Sequence, residues 1–79
     1  MRVSVYTSQS CGFCKRIKDW YLSQGIHFVE KDVQKNPLYK DELLELGVKG
    51  IPFSLIESSE KTVEVLGFNK KELEDLFLK

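Results

Sequence analysis

The chain has 79 residues, and its 12 Lys and Arg residues balance its 12 Asp and Glu residues, so the formal net charge is zero. A neutral chain lacks the basic excess that binding to nucleic acid or to a membrane surface requires, and a chain this short has room for one domain only. Because 42% of the residues are hydrophobic and 30% are charged, we predict a single globular domain over residues 1–79.

The N-terminal segment bears on where the protein acts. Met1–Val5 lacks the apolar core of a secretion signal, and no apolar run approaches the roughly 18 residues that span a bilayer. A secreted mini-protein held together by disulfides normally carries more cysteines than the two found here. We therefore expect a cytoplasmic protein with no membrane and no nucleic-acid partner.

The first half of the chain predicts a strand, a helix and a second strand. Arg2–Thr7 is rich in β-branched and aromatic residues, which is typical of a strand. Gly12–Gln24 has apolar residues at helical spacing and is followed by Gly25, a common residue just past a helix end. Ile26–Val33 predicts a second strand, and its charged residues favour an edge position.

The second half predicts a helix, two strands and a final helix. Asn36 is a good N-cap for a helix over Pro37–Leu46. Pro52–Glu57 and Lys61–Leu66 alternate as strands do, with Ser58–Glu60 as a hairpin loop. The side chains expected to face inward on these strands are Phe53, Leu55, Val63 and Val65. The last helix begins at a capping box of Asn69 and Glu72 and buries Leu73, Leu76 and Phe77.

The predicted order of elements is β-α-β-α-β-β-α. Its first three elements form a crossover unit, which makes the first two strands parallel. We therefore predict an α/β domain whose helices cover the sheet.

Cys11 and Cys14 fall where the first strand leads into the first helix. A structural disulfide is one interpretation, although closing so short a loop removes little entropy from the unfolded chain. A zinc site is a second, but beyond the two thiols the chain offers only His27 and scattered carboxylates. The third is thiol redox catalysis.

Redox catalysis has a physical basis at the start of a helix. Unpaired N–H groups and the helix dipole there stabilise a thiolate, so we expect the pKa of Cys11 to fall from about 8.5 to about 7. Cys11 would attack, and Cys14, one turn along, would resolve the mixed disulfide. Lys15 adds positive charge, Gly12 lets the backbone of a partner approach, and Phe13 offers that partner an apolar contact.

The sequence resembles the glutaredoxin family of the thioredoxin fold. The resemblance covers almost the whole chain and is carried by the segments Val5–Thr7, Cys11–Cys14, Gly50–Pro52 and Leu66–Phe68. It implies a thioredoxin-like fold, a four-stranded mixed sheet of order 2-1-3-4 flanked by three helices. It also implies a cis peptide bond before Pro52 and a main chain at Ile51 that pairs with the substrate as an added strand.

The resemblance also implies an activity and a site. The activity is that of a dithiol–disulfide oxidoreductase acting on disulfides of proteins or small molecules, with no metal and no tightly bound cofactor. The electron donor would be glutathione or a thioredoxin reductase. Cys11 and Cys14 are the expected catalytic residues, and the expected substrate-binding residues are Gly12, Phe13, Lys15, Gly50, Ile51, Pro52, Gly67, Phe68 and Asn69.

Three segments depart from the members that use glutathione. Ser8–Ser10, Gly50–Pro52 and Gly67–Lys70 stand where those members carry a lysine, a Thr-Val-Pro segment and a Gly-Gly-x-Asp motif. The Gly-Phe pair instead resembles NrdH-type redoxins, which take electrons from thioredoxin reductase. The quartet Cys11–Cys14 is also close to the Cys-Gly-Phe-Ser of glutaredoxins that handle iron–sulfur clusters, so a metal or cluster carrier is the alternative function. Three lysines near the expected groove have two interpretations, attraction of anionic partners or exposed solubilising charge: Lys49, Lys70 and Lys71.

Overall fold

The computed structural model describes residues 1–78 and contains the seven predicted elements in the predicted order. They are β1 (Arg2–Thr7), α1 (Gly12–Ser23), β2 (Val29–Asp32), α2 (Pro37–Glu45), β3 (Phe53–Glu57), β4 (Thr62–Leu66) and α3 (Lys70–Phe77). In this described part of the chain, none of the helices has the length and apolar character needed to cross a membrane.

The four strands form one sheet in the order β2-β1-β3-β4. β1 pairs parallel with β2 and antiparallel with β3, and β3 pairs antiparallel with β4. The predicted order and the edge position of β2 are confirmed. β1 is an inner strand of the sheet, and the chain that leaves its carboxyl end leads to the cysteine pair.

α1 forms because its apolar residues recur on one face. The side chains buried along it are Cys14, Ile17, Trp20 and Tyr21. The helix ends one residue earlier than predicted, with Gln24 as its C-cap. Gly25 follows with a φ of 69°, the left-handed conformation that favours glycine.

β2 is shorter than predicted, covering Val29–Asp32 rather than Ile26–Val33. Its pairing with β1 begins only where Val29 lies opposite Ser4. The main-chain N–H of Ile26 instead donates to the carbonyl of Tyr21 at 2.9 Å, so this residue satisfies the end of α1. The expected strand over residues 26–28 was therefore wrong.

Hydrophobic clusters cover both faces of the sheet. The larger one packs α1 and α3 against the sheet and consists of Val3, Val5, Ile17, Trp20, Tyr21, Ile56, Val65 and Leu73. The smaller one packs α2 against the opposite face through Tyr6, Leu43 and Phe53. The residues predicted to face inward thus belong to two layers. Phe53 and Leu55 lie toward α2, while Val63 and Val65 lie toward the other helices with Ile56, which was not predicted.

Asparagine side chains cap α2 and α3 as predicted. The Asn36 side-chain oxygen accepts from the N–H of Leu38 at 3.1 Å, and the Asn69 oxygen accepts from the N–H of Glu72 at 3.2 Å. The Glu72 carboxylate accepts from the Asn69 side-chain amide at 3.2 Å, rather than from its backbone as a standard capping box would have it.

Candidate functional site

Cys11 and Cys14 lie at the start of α1 and are joined by a disulfide, with their Cα atoms 5.2 Å apart. Cys11 is the N-cap residue, and its Sγ accepts a hydrogen bond from the N–H of Cys14 at 3.1 Å. Cys11 is partly exposed, whereas Cys14 is fully buried. A partner can therefore reach the sulfur of Cys11 but not that of Cys14.

The electrostatic surroundings of Cys11 favour negative charge. The first N–H groups of a helix lack partners within the helix, and the positive end of the helix dipole lies beside them. The first turn of α1 contains no acidic residue that would oppose this effect. When the disulfide opens, the Cys11 sulfur therefore lies where a thiolate is stabilised.

A groove of about 560 Å³ opens beside Cys11. It runs between α1 and β2, and we call it the Cys11 groove; its lining residues are Ser8, Gln9, Cys11, Lys15, Lys18, Asp19, Leu22, Phe28, Glu30, Asp32 and Lys35. Lys15, predicted to lie near the thiol, is among them. Three lysines and three carboxylates line the groove together with the apolar side chains Leu22 and Phe28.

Glu30 organises one wall of the Cys11 groove. Its carboxylate accepts from the hydroxyl of Thr7 at 2.7 Å and from the ammonium of Lys18 at 2.7 Å. The hydrogen bond from Lys18 is the main cause of a lowered pKa at Glu30; burial opposes it, and the hydrogen bond from Thr7 lowers the pKa further. Thr7 is fully buried at the carboxyl end of β1. The network ties the strand leading to Cys11 to the helix beginning there.

Asp32 supports the same wall at the end of β2. It is buried, and one of its carboxylate oxygens accepts from the N–H groups of Gln34 and Lys35 at 2.8 and 3.3 Å. We did not predict Thr7, Glu30 or Asp32 as parts of the site. The sequence signal for these residues was the predicted parallel pairing of β1 and β2. The carboxyl ends of parallel strands meet at the same edge of a sheet, which places residues near those ends close together.

The predicted loop over Gly50–Pro52 adopts the expected backbone. The Ile51–Pro52 peptide bond is cis, which confirms that prediction. The buried Pro52 accepts from the N–H of Gly67 at 2.7 Å through its carbonyl, so the loop is tied to the end of β4. Within residues 1–78, the main chain of Ile51 neither donates nor accepts a hydrogen bond. Its N–H and C=O are free to pair with another chain.

A second groove, of about 490 Å³, lies beside this loop. We call it the Ile51 groove; its lining residues are Ser8, Val33, Gln34, Lys40, Leu43, Leu44, Val48, Lys49, Gly50 and Ile51. Ser8 also lines the Cys11 groove, so the two grooves adjoin. Of the three lysines expected to attract anions, Lys49 lies here rather than in the groove that contains Cys11.

The residues between the cysteines are exposed. Phe13 is 60% exposed, and the guanidinium of Arg16 lies 5.4 Å from the centre of its ring. Gly12 has open space where a Cβ would stand. The first turn of α1 thus presents an apolar ring to solvent next to the reachable sulfur.

The predicted binding residues after β4 have structural roles, of which the sequence indicated only the capping by Asn69. Gly67 has a φ of 78°, so it makes the turn between β4 and α3. Phe68 is half-buried and packs against the larger hydrophobic cluster. The Asn69 side chain caps α3.

A metal site was the second interpretation of the cysteine pair. Among residues 1–78, no three His, Cys, Asp or Glu side chains come close enough together to hold a metal ion. His27 is exposed beside β2.

Most of this chain matches the model of a known protein family. The model of the glutaredoxin family matches residues 3–53, which include both cysteines and the cis proline. A glutaredoxin-like 8.6 kDa protein from the rubredoxin operon of Clostridium pasteurianum is 28% identical over 78 residues, covering 98% of this chain and 99% of that protein. The global transcriptional regulator Spx 2 of Bacillus cereus is 34% identical over 90% of this chain, which spans only 56% of that longer protein.

Solved structures share the fold. The thioredoxin-like protein BC3987 superimposes with a TM-score of 0.83 and 25% identity over 96% of this chain and 100% of that one. The NrdH-redoxin of Escherichia coli gives a TM-score of 0.81 and 24% identity over 96% of this chain and 95% of that one. The thioredoxin-like fold implied by the sequence is therefore confirmed.

Proposed function

Since the chain belongs to the glutaredoxin family, we propose that it is a dithiol–disulfide oxidoreductase that reduces disulfides of proteins or small molecules. The observation that carries the proposal is the unequal placement of the two cysteines at one helix start. Cys11 is reachable at the N-cap, and Cys14 is fully buried one turn along. A nucleophile must reach its substrate, whereas a resolving thiol needs only to reach the nucleophile.

The proposed cycle begins with both cysteines reduced. The Cys11 thiolate attacks one sulfur of the substrate disulfide, forming a mixed disulfide and releasing the other sulfur as a thiolate, which takes up a proton. Cys14 loses its proton and attacks the Cys11 sulfur, which releases the second substrate thiol and forms the Cys11–Cys14 disulfide. Two electrons have then passed to the substrate, and an external thiol reductant restores both cysteines.

Binding of a protein substrate would use the free main chain of Ile51. An extended peptide adds to a sheet by main-chain hydrogen bonds, and Ile51 has both its N–H and C=O available. Phe13 and Gly12 border the reachable sulfur and would contact the approaching peptide. Lys15 lines the Cys11 groove and would add positive charge beside the sulfur.

We propose a thioredoxin reductase as the electron donor in preference to glutathione. The segments Ser8–Ser10 and Gly67–Lys70 lack the lysine and the Gly-Gly-x-Asp motif of the glutathione-using members. NrdH-redoxin of Escherichia coli is described as glutaredoxin-like with a thioredoxin-like activity profile. The cycle also needs reducing surroundings, which is why the cytoplasm is the proposed location. An assay that couples turnover to either thioredoxin reductase or glutathione with glutathione reductase compares the two donors directly.

Replacing the resolving thiol tests the cycle itself. The variant Cys14→Ser should accumulate a mixed disulfide between Cys11 and its substrate, because the second displacement has lost its nucleophile. Incubation of the reduced variant with a disulfide-bonded protein, followed by non-reducing electrophoresis, should show an adduct that dithiothreitol removes. The matched variant Cys11→Ser should form none.

Two results would contradict the proposal. One is an equal yield of adducts from Cys14→Ser and Cys11→Ser, since the cysteines would then have the same role. The other is freshly purified protein that shows a visible absorption band and bound iron or zinc, which would favour the cluster-carrier alternative over thiol exchange.

A further inference from the structure

We propose that the Ile51 groove selects substrates by binding an aliphatic side chain that has an acidic residue within two positions of it, in an extended peptide next to the reacting cysteine. The inference rests on the proposed function and specifies which disulfide proteins the site prefers. It is carried by three features of the groove: a free main chain at its edge, an apolar floor and a rim of uncompensated positive charge.

The free main chain fixes where a peptide side chain would go. Directly opposed residues of two paired strands place their side chains on the same face of the sheet. The side chain of Ile51 lines the groove, and its main chain has no hydrogen-bond partner within residues 1–78. A peptide that pairs with Ile51 therefore directs the side chain opposite it toward the same groove.

The floor of the groove is aliphatic. Val33, Leu43, Val48 and Ile51 come from three separate segments and meet there. Leu44 stands at the rim and is 59% exposed, a large apolar surface for the solvent side of a short helix. An aliphatic or aromatic side chain that enters the groove removes this surface from water, which favours binding.

The charge of the groove is one-sided. Lys40 and Lys49 line it, and none of its lining residues is acidic. The adjoining Cys11 groove is balanced by contrast, since Glu30 accepts from Lys18 there. An acidic residue on the bound peptide would therefore complement Lys40 and Lys49, whereas a basic residue would be repelled.

The test uses three synthetic peptides that differ only beside a single cysteine. The cysteine is held as a mixed disulfide with thionitrobenzoate, whose release is followed by absorbance under single-turnover conditions with pre-reduced protein. In the first peptide, each side of the cysteine carries one Leu and one Glu. In the second peptide both Leu residues are replaced by Ala, and in the third both Glu residues are replaced by Lys. We expect the first to react about fivefold faster than either of the others.

Two pairs of variants connect that preference to the groove. Lys49→Glu should abolish or reverse the preference for the Glu peptide over the Lys peptide, while Lys61→Glu, in the exposed β3–β4 turn, should keep it. Leu44→Asp should remove the preference for Leu over Ala. Leu38→Asp, at a similarly exposed leucine of α2 that lies outside the groove lining, should retain it.

The outcomes separate this inference from the function on which it rests. Failure of the reduced wild-type protein to reduce even bis(2-hydroxyethyl) disulfide would overturn the proposed function. If it reduces that small neutral disulfide but treats the three peptides alike, the activity stands and the selectivity proposal is wrong. A preference for the Lys peptide, or an equal loss of preference in Lys61→Glu and Lys49→Glu, would also overturn it.

Discussion

Cys11 and Cys14 have the same side chain and lie three positions apart, yet their surroundings differ because of where the helix begins. The N-cap residue precedes the first turn and points its side chain at the unpaired N–H groups. A residue three positions later lies inside the helix, on the face that α1 buries against the sheet. One turn of helix is therefore enough to separate an accessible sulfur from a protected one.

This difference predicts selective alkylation of the reduced protein. With limiting iodoacetamide at neutral pH, Cys11 should be modified more than about tenfold faster than Cys14, because only Cys11 is both reachable and placed where a thiolate is stabilised. Peptide mass spectrometry at several reaction times measures both rates. In guanidinium chloride the two rates should become similar, and similar rates in the native protein would contradict the assignment of roles.

At the residue scale, the sequence located the cysteine pair but not the residues that support it. The cysteine spacing and the resemblance located Cys11, Cys14 and the cis bond before Pro52. Thr7 and Glu30 were missed because their importance comes from a contact between neighbouring strands. Thr7 ends one of the segments that carry the resemblance, but nothing in that segment indicates its contact with Glu30, and pairing register cannot be derived from residue types alone.

Among the secondary-structure elements, α1 and β3 are joined by a buried polar contact in an otherwise apolar layer. The hydroxyl of Tyr21 donates to the hydroxyl of Ser54 at 2.8 Å, and both residues are fully buried. Burial, only partly offset by the hydrogen bond with Ser54, raises the pKa of Tyr21. A buried hydroxyl that loses its only partner destabilises the fold, so each residue constrains the other.

A double-mutant cycle measures this constraint. Tyr21→Phe and Ser54→Ala should each lower the free energy of unfolding by about 1 to 3 kcal/mol, since each leaves one buried hydroxyl without its partner. The double variant should be destabilised by less than the sum. Urea denaturation provides all three values. Tyr39→Phe, at a half-buried tyrosine on α2, serves as the control and should change stability little; strict additivity would refute the coupling.

At the same scale, the order of elements followed from sequence periodicity but one boundary did not. Ile26 to Phe28 alternates as a strand does, which is why β2 was expected to begin there. The hydrogen bond from the Ile26 N–H to α1 takes that residue out of the sheet, and Phe28 packs against Tyr21 with ring centres 5.4 Å apart. Tertiary packing decides whether such a segment completes the end of a helix or begins a strand. Residue propensities carry no information about that packing.

The molecule as a whole is a sheet between two helical layers, and one carboxylate on each side ties a helix to the sheet edge. Glu30 accepts from Lys18 of α1, and Glu42 of α2 accepts from the Tyr6 hydroxyl at 2.7 Å and from Lys31 at 3.0 Å. The hydrogen bond from Tyr6, followed by that from Lys31, lowers the pKa of Glu42. Burial and the Glu42 hydrogen bond raise the pKa of Tyr6.

The two lowered pKa values predict a loss of stability in acid. A carboxylate whose pKa is lower in the folded state stabilises the fold above its ordinary value of 4.5, and this contribution disappears as the pH falls through the folded-state pKa. Urea midpoints measured from pH 7 to pH 3 should therefore fall less steeply in Glu30→Gln and Glu42→Gln than in the wild type. Each effect should stay below about 1 kcal/mol, because the side chains are 37% and 41% exposed.

An exposed carboxylate elsewhere provides the control for this acid profile. Glu60→Gln lies in the turn between β3 and β4 and should reproduce the wild-type profile. If all three glutamine variants follow the wild type down to pH 3, the two hydrogen-bonded carboxylates do not contribute to acid stability.

The short sequence separation of Cys11 and Cys14 determines how little the stability of the fold depends on their disulfide. A bond that spans three residues constrains the denatured chain only slightly, by roughly 2 kcal/mol in the loop-entropy description, whereas a bond across the whole domain would constrain it far more. The hydrophobic layers, rather than the bond, therefore keep the molecule folded. The domain should therefore stay folded each time the proposed reaction opens this bond, because its architecture does not depend on that link.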